Sequence, residues 1–188
     1  MKEGKIVIVS APSGAGKTTI VRHLLSKSST FGFSVSATTR KPRGNEVNGV
    51  DYYFLTVDEF KAKIDNNEFL EWQEVYPGSY YGSLKSEVEK ILKTGRNILF
   101  DVDVVGGSNI KKYYGDRALA LFIQPPSITE LEKRLIARST DHETVIRERV
   151  EKAERELAYA PLFDAVIIND TLEHALQEAE ICVNNFLS

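Results

Sequence analysis

The chain has 188 residues, enough for one compact domain with inserted lobes and too few for two full domains. Its 42% hydrophobic and 27% charged residues mark an ordinary globular protein with ample material for a core. Lys and Arg number 24 against 27 Asp and Glu, and the net charge of −3 excludes a general nucleic-acid coat or polybasic membrane binder while leaving room for a local anion pocket.

From the N-terminus, Lys5-Ile6-Val7-Ile8-Val9-Ser10 is an apolar β-branched run of the kind that forms a buried parallel strand. A glycine-rich turn follows, and then residues 18–25 carry apolar spacing suited to a helix. Residues 33–37, 52–55 and 69–75 read as strands separated by turn signals at Asn48-Gly49 and Pro77-Gly78. One helix fits among them, starting at the capping box Thr56-Val57-Asp58-Glu59. This stretch is expected to be a small, mostly antiparallel lobe inserted into the main sheet. Further strands are expected at residues 98–100, 118–123 and 165–168, each followed by a helical pattern. Such alternation implies an α/β fold with a parallel sheet and helices on both faces. A second insertion opens at the capping box Ser127-Ile128-Thr129-Glu130 and runs through two charge-dense helical segments to Pro161. The expected organisation is a single domain: core about 1–32, 84–126 and 160–188, lobe about 33–83, helical arm about 127–159.

Cys182 is the only cysteine, so neither an intrachain disulfide nor a thiolate metal cluster can form. It falls on the stripe Leu176, Ala179, Val183 and Phe186 of a C-terminal helix, where a core role is expected. His23, His142 and His174 lack metal-ligand spacing, and Trp72 is expected to pack the small lobe. The N-terminal residues carry no signal-type apolar region, and no stretch reaches the roughly 20 apolar residues that span a bilayer. A cytoplasmic location is expected.

Chemistry enters at Ala11-Pro12-Ser13-Gly14-Ala15-Gly16-Lys17-Thr18, a phosphate-loop pattern with Ala11 where the first glycine usually stands. Small residues let backbone N–H groups curl around phosphates, and the helix that follows points its positive end at them. Lys17 would reach the β- and γ-phosphates and Thr18 would ligate Mg²⁺. Ala11 is tolerable provided that its backbone needs no positive φ. The segment Ser36-Ala37-Thr38-Thr39-Arg40-Lys41-Pro42-Arg43 then crowds two arginines and a lysine near Tyr52 and Tyr53. Guanidinium forks and tyrosine hydroxyls suit phosphate oxygens, although alone the segment reads equally as a solvated basic loop.

Here the sequence resembles the guanylate kinases. The family's acceptor signature, T-T-R-x-P-R followed by E-x-x-G-x-D-Y, stands here at residues 38–43 and 46–52. The resemblance extends to the phosphate loop, Glu71-Trp72, Tyr80-Tyr81-Gly82-Ser83, Asp101-Val102-Asp103, the arginines of the second insertion and Ile168-Asn169-Asp170, nearly the whole chain. It implies a P-loop nucleoside monophosphate kinase fold with a GMP-binding lobe and a helical lid. It also implies transfer of the γ-phosphoryl of ATP to GMP, and to dGMP. ATP would be bound by Ala11, Pro12, Ser13, Gly14, Ala15, Gly16, Lys17, Thr18 and Thr19, with Asn169 near the adenine. Arg40, Arg43, Tyr52 and Tyr81 would hold the acceptor phosphate, and Ser36, Glu71, Ser83 and Asp103 the guanine. A carboxylate such as Glu71 accepts from guanine N1–H and N2–H side by side. Asp101, ending the strand 97–100, is expected to face Mg²⁺ together with Thr18, leaving Asp103 for the nucleotide.

Arg134 and Arg138 lie four apart on one expected helix and share a face, and Arg149 follows after the connection 139–143. By resemblance these three join Lys17 and Arg40 as the catalytic cations over the phosphates. Glu130, Glu132, Glu148, Glu151 and Glu154 around them equally suit a salt-bridged surface helix. No general base is needed, because the acceptor phosphate has a second pKa near 6 and is ionised at neutral pH. Two rival functions use the same scaffold: a non-catalytic guanylate-kinase-like interaction module, and a P-loop kinase for another small metabolite. Lys17, Thr18 and the acceptor arginines disfavour the first, and Glu71 with Ser36 and residues 38–43 the second.

Overall fold

A computed structural model describes residues 3–32, 34–138 and 143–188, without the side chains of Val75, Tyr76, Arg138 and Glu143. The strands are β1 (Ile6–Ser10), β2 (Phe31–Gly32), β3 (Ala37–Thr38), β4 (Tyr53–Phe54), β5 (Phe69–Tyr76), β6 (Ser79–Leu84), β7 (Asn97–Asp101), β8 (Ala118–Gln124) and β9 (Ala165–Ile168). The helices are α1 (Lys17–Lys27), α2 (Val57–Asp65), α3 (Lys85–Lys93), α4 (Val104–Tyr114), α5 (Ile128–Arg138), α6 (Glu143–Leu157) and α7 (Leu172–Leu187). The fold is α/β, with a five-stranded parallel sheet in the order β2-β7-β1-β8-β9 and a separate four-stranded sheet in the order β4-β3-β6-β5. The chain divides into two compact units, Met1–Lys5 with Thr30–Ile98, and Ile6–Ser29 with Leu99–Ser188.

In the second unit, β1 and β8 pair residue for residue from Ile6 opposite Ala118 to Ser10 opposite Phe122. All five β1 residues are buried, which explains the unbroken apolar run: a parallel strand covered on both faces has no wet side to alternate towards. Helix α4 packs on β1 and β8, and α7 packs on α1 and β9. Gly107 on α4 lies so close to β1 that a Cβ there would stand 2.3 Å from Ser10 Oγ. Along α7, Ala175, Ala179 and Val183 are buried; Cys182 is partly buried, and that burial pushes its thiol pKa up. The strands expected near residues 98, 118 and 165 form as read.

The first unit departs from the expectation in three places, the first being β2 at Phe31–Gly32, where no strand was expected. The strand expected over 33–37 forms only at Ala37–Thr38, with residue 33 outside the described residues. Unexpectedly, β6 is an interior strand, antiparallel to both β3 and β5. The sheet is therefore mixed, because β4 adds parallel to β3. Thr56 caps α2 as its sequence signals, accepting from the Glu59 N–H while the Glu59 carboxylate accepts from the Thr56 N–H. The helix thereby delivers Phe60 into a core of Ala37, Phe69, Tyr80 and Leu84. Phe60 stacks on Phe69 at 4.2 Å between centroids and on Tyr80 at 5.4 Å. Trp72 tilts against Tyr80 at 6.2 Å and remains half-exposed.

Phe60 is fully buried. Phe60→Ala should therefore destabilise this unit by about 3–5 kcal/mol, the transfer term plus an unfilled cavity, measured as a shift in the urea midpoint. A change below about 1 kcal/mol would mean that the aromatic stack is not the core of the lobe.

Candidate active site

The phosphate loop lies between β1 and α1, as its spacing requires. Gly14 (φ 91°) and Gly16 (φ 101°) take left-handed backbone conformations, whereas Ala11 does not, so alanine is tolerated there. Gly16 enters α1 with no side-chain cap, and its own carbonyl accepts from the Thr19 N–H at 3.2 Å. A Cβ on Gly16 would stand 2.3 Å from Asn169 Nδ2, a second reason for glycine. The buried Asn169 side chain donates to the Ala15 carbonyl at 2.7 Å, so it braces the loop. Lys17 Nζ sits 2.7 Å from Asp101 Oδ1 and donates to the Val102 carbonyl at 2.8 Å. Thr18 and Thr19 are exposed at the mouth of a cleft of about 330 Å³.

Two arm arginines reach this region. Arg149 on α6 donates to Ser13 Oγ at 2.9 Å. Arg134 on α5 donates to the Asn169 carbonyl at 3.0 Å and pairs with Glu130 at 3.3 Å. The Arg138 side chain and residues 139–142 of the expected connection lie outside the described residues, and His142 with them. Asp103 caps α4, accepting from the Gly106 N–H at 2.7 Å, and also lines the cleft. His23 pairs with Glu180, and His174 lies 3.8 Å from Asp170. Among the described residues, no group of three His, Cys, Asp or Glu is arranged to hold a metal ion. The donor set of one hydroxyl, Thr18, and one carboxylate, Asp101, fits an Mg²⁺ carried mainly by nucleotide phosphates and water rather than by a protein cage.

The other group of expected site residues belongs to the lobe. Arg40 forms a two-pronged pair with Glu46, Nη1 to Oε2 at 2.6 Å and Nη2 to Oε1 at 2.7 Å. The Arg43 backbone N–H donates to the same carboxylate at 2.7 Å. The Arg40 guanidinium lies over the Tyr52 ring at 4.8 Å, and Tyr52 meets Tyr81 edge-on at 6.2 Å. Three of the four residues assigned to the acceptor phosphate are thus neighbours, with Arg43 tied in through Glu46. On β5 and β6, Glu71 stands directly opposite Ser83, whose hydroxyl donates to Glu71 Oε1 at 2.8 Å. Ser36 accepts from the Tyr53 N–H through its backbone carbonyl at 2.9 Å.

Sequence reasoning gave no role to Glu46, although it opens the quoted E-x-x-G-x-D-Y signature. It also passed over Lys152 and Glu156, which line the phosphate-loop cleft from α6. Their signal was spacing: they lie three and seven residues beyond Arg149, on its face of the helix.

A family model described as guanylate kinase matches residues 3–185. The guanylate kinase of Bacteroides fragilis is 59% identical over 185 residues, covering 98% of this chain and 91% of the relative. That of Porphyromonas gingivalis is 53% identical, covering 98% of both, and that of Salinibacter ruber is 46% identical over the full length of both. Among solved structures, the crystal structure of guanylate kinase from Anaplasma phagocytophilum is similar with a TM-score of 0.73 at 27% identity, covering all of this chain and 88% of that one.

The paired Arg40 and Glu46 make a direct test. The Arg40 hydrogen bonds and then the Arg43 N–H hold the Glu46 carboxyl at about 2, and Glu46 in turn raises the Arg40 pKa. A depressed carboxyl pKa contributes stability fully above the unfolded value of about 4.3, lost as pH falls through about 2. A carbon-13 NMR titration of the Glu46 side chain should give a midpoint near 2. In Arg40→Met the midpoint should rise into the ordinary carboxylate range, and an unmoved midpoint would rule out Arg40 as the cause.

Proposed function

The chain belongs to the guanylate kinase family and transfers the γ-phosphoryl of ATP to GMP, and we propose that the two residue groups described above divide this work between donor and acceptor. The observation that carries the donor half is the braced phosphate loop with Lys17 and Arg149 both hydrogen-bonded within it or beside it. Residues 11–19 bind the ATP phosphates through backbone N–H groups, with Asn169 keeping the loop in shape. Arg134, Arg138 and Arg149 on the lid about 127–159 add charge over the transferring phosphoryl group. Thr18 and Asp101 would hold Mg²⁺, which would supply neutralisation of the phosphate charge.

The lobe about 33–83 takes the acceptor. Arg40 and Arg43 clamp the GMP phosphate with the Tyr52 and Tyr81 hydroxyls. Glu71 accepts from guanine N1–H and N2–H, held in register by the Ser83 hydroxyl, while Ser36 and Asp103 complete base recognition. dGMP carries the same guanine and phosphate as GMP and differs only at the sugar, so it meets the same donors and acceptors and is a second acceptor. The chemistry asks for positioning and screening of two polyanions, not proton abstraction, because the attacking phosphate oxygen is already ionised. No helix among the described residues is long and apolar enough to cross a membrane, and a reducing cytoplasm suits the single cysteine.

Two substitutions test the division. Lys17→Ala should keep the fold and cut kcat by roughly 10²-fold or more at saturating ATP, the scale of losing one preorganised electrostatic contact. Unchanged turnover would remove the loop from catalysis. Glu71→Gln should lower kcat/KM for GMP by at least roughly tenfold, as charge-assisted bonds become neutral ones. Its KM for ATP should move little, and the preference for GMP over AMP should shrink. Full GMP efficiency with full discrimination would place guanine recognition elsewhere.

A further inference from the structure

Helix α6 presents three charged groups on one face: Arg149, Lys152 one turn on, and Glu156 a turn beyond. Arg149 is committed to Ser13 Oγ, which fixes this face towards the phosphate loop, and Lys152 and Glu156 line the same cleft as Ser13, Lys17 and Thr18. Glu156 is an unusual occupant. It is only 9% exposed, beside a loop built to receive phosphates, and its Oε2 has no hydrogen-bond partner. A buried, half-satisfied carboxylate is costly, and burial accordingly drives its pKa up against the pull of Lys152 and of the Ser13 N–H. Its ion-pair partner is Lys152, at 3.7 Å, too far for a hydrogen bond. The Lys152 side chain is 56% exposed, so the ammonium can swing on its four-carbon stem.

We propose that Lys152 is a further donor-phosphate ligand of this enzyme, held at the edge of the cleft by Glu156 and passed to the terminal phosphates of ATP when they enter. The inference rests on the donor-site reading above. Glu156 is its positioning residue. The carboxylate offers a loose, incompletely bonded anchor, and an ATP polyphosphate offers the ammonium more negative charge and better-directed oxygens. A purely structural i, i+4 pair on a solvated helix would stand away from the cleft, with both partners in water.

Steady-state kinetics with Mg²⁺ and ATP varied at saturating GMP, and then the reverse, test the exchange. Lys152→Gln should raise the KM for ATP roughly two- to fivefold, the range of one partly exposed charge contact. Lys152→Arg should restore most of the loss, and the KM for GMP should stay unchanged in both. Glu156→Gln should act in the opposite direction, lowering the KM for ATP because the ammonium is no longer restrained. A salt bridge with a structural role alone predicts that both variants lower the thermal midpoint and leave the ATP KM where it was, and that result overturns the proposal, as does a raised ATP KM in Glu156→Gln. Should Glu156→Gln fail to fold, Lys152→Gln against Lys152→Arg decides by itself. Lys17→Ala, run in parallel, separates the two levels. A normal loss in Lys17→Ala with flat Lys152 variants sinks only this inference, whereas an unaffected Lys17→Ala sinks the donor-site reading beneath it.

Discussion

Everything on the donor side hangs on how the backbone turns between β1 and α1. The buried strand ends at Ser10, and within six residues the chain must present its N–H groups inward and start a helix without a side-chain cap. Two left-handed glycines make the turn, and the Asn169 amide, donating to the Ala15 carbonyl, stops it from relaxing. From that bond the arm is positioned in sequence. Arg134 donates to the Asn169 carbonyl, and Arg149 donates to Ser13. Helices α5 and α6 thus take their bearings from the loop, one directly and one through the residue that braces it.

A common electrostatic pattern runs through both groups of site residues. Lys17 faces Asp101, Arg40 faces Glu46, Arg134 faces Glu130, and Lys152 faces Glu156. Each cation has a carboxylate neighbour before any nucleotide is present, consistent with a chain that is slightly acidic overall while binding two polyanions. Such pairing limits the conformations each long side chain explores. It also distinguishes the pairs. The two-pronged Arg40–Glu46 contact has good geometry on both nitrogens and keeps the fork oriented, whereas the Lys152–Glu156 contact, at 3.7 Å, lies beyond hydrogen-bond distance.

Four strands of the parallel sheet, β1, β7, β8 and β9, and the phosphate loop were readable because each has a local cause, an unbroken apolar run or a strand–glycine–helix order, whereas the two-residue β2 was not among the expected strands. The lobe was harder. Strand β6 carries Tyr80-Tyr81-Gly82-Ser83, and glycine there reads as a break; its reason is contact across strands, since a Cβ on Gly82 would lie 2.8 Å from the Glu71 carbonyl. The two-residue strand β3 is too short for its bounds to show, so the run expected over 33–37 misplaced it, whereas β4 fell inside the expected 52–55. Lys152 and Glu156 were hidden for the opposite reason. Charges four apart on a highly charged helix look like solvated surface until the fold shows which face meets the loop. Glu71 and Ser83, twelve residues apart, became a pair only through the register of β5 on β6.

The aromatic centre of the lobe has a consequence for how the protein breathes. Phe60, Phe69 and Tyr80 form a nucleus from α2, β5 and β6 alone, all within one uninterrupted stretch of chain. A segment with a hydrophobic nucleus of its own opens and closes cooperatively, as one block rather than residue by residue. Amide protons over α2, β5 and β6 should then exchange with deuterium at a shared rate, distinct from that of β1 and β8. The GMP-binding lobe would thus be a separate foldon, free to differ in stability from the sheet that carries the donor loop.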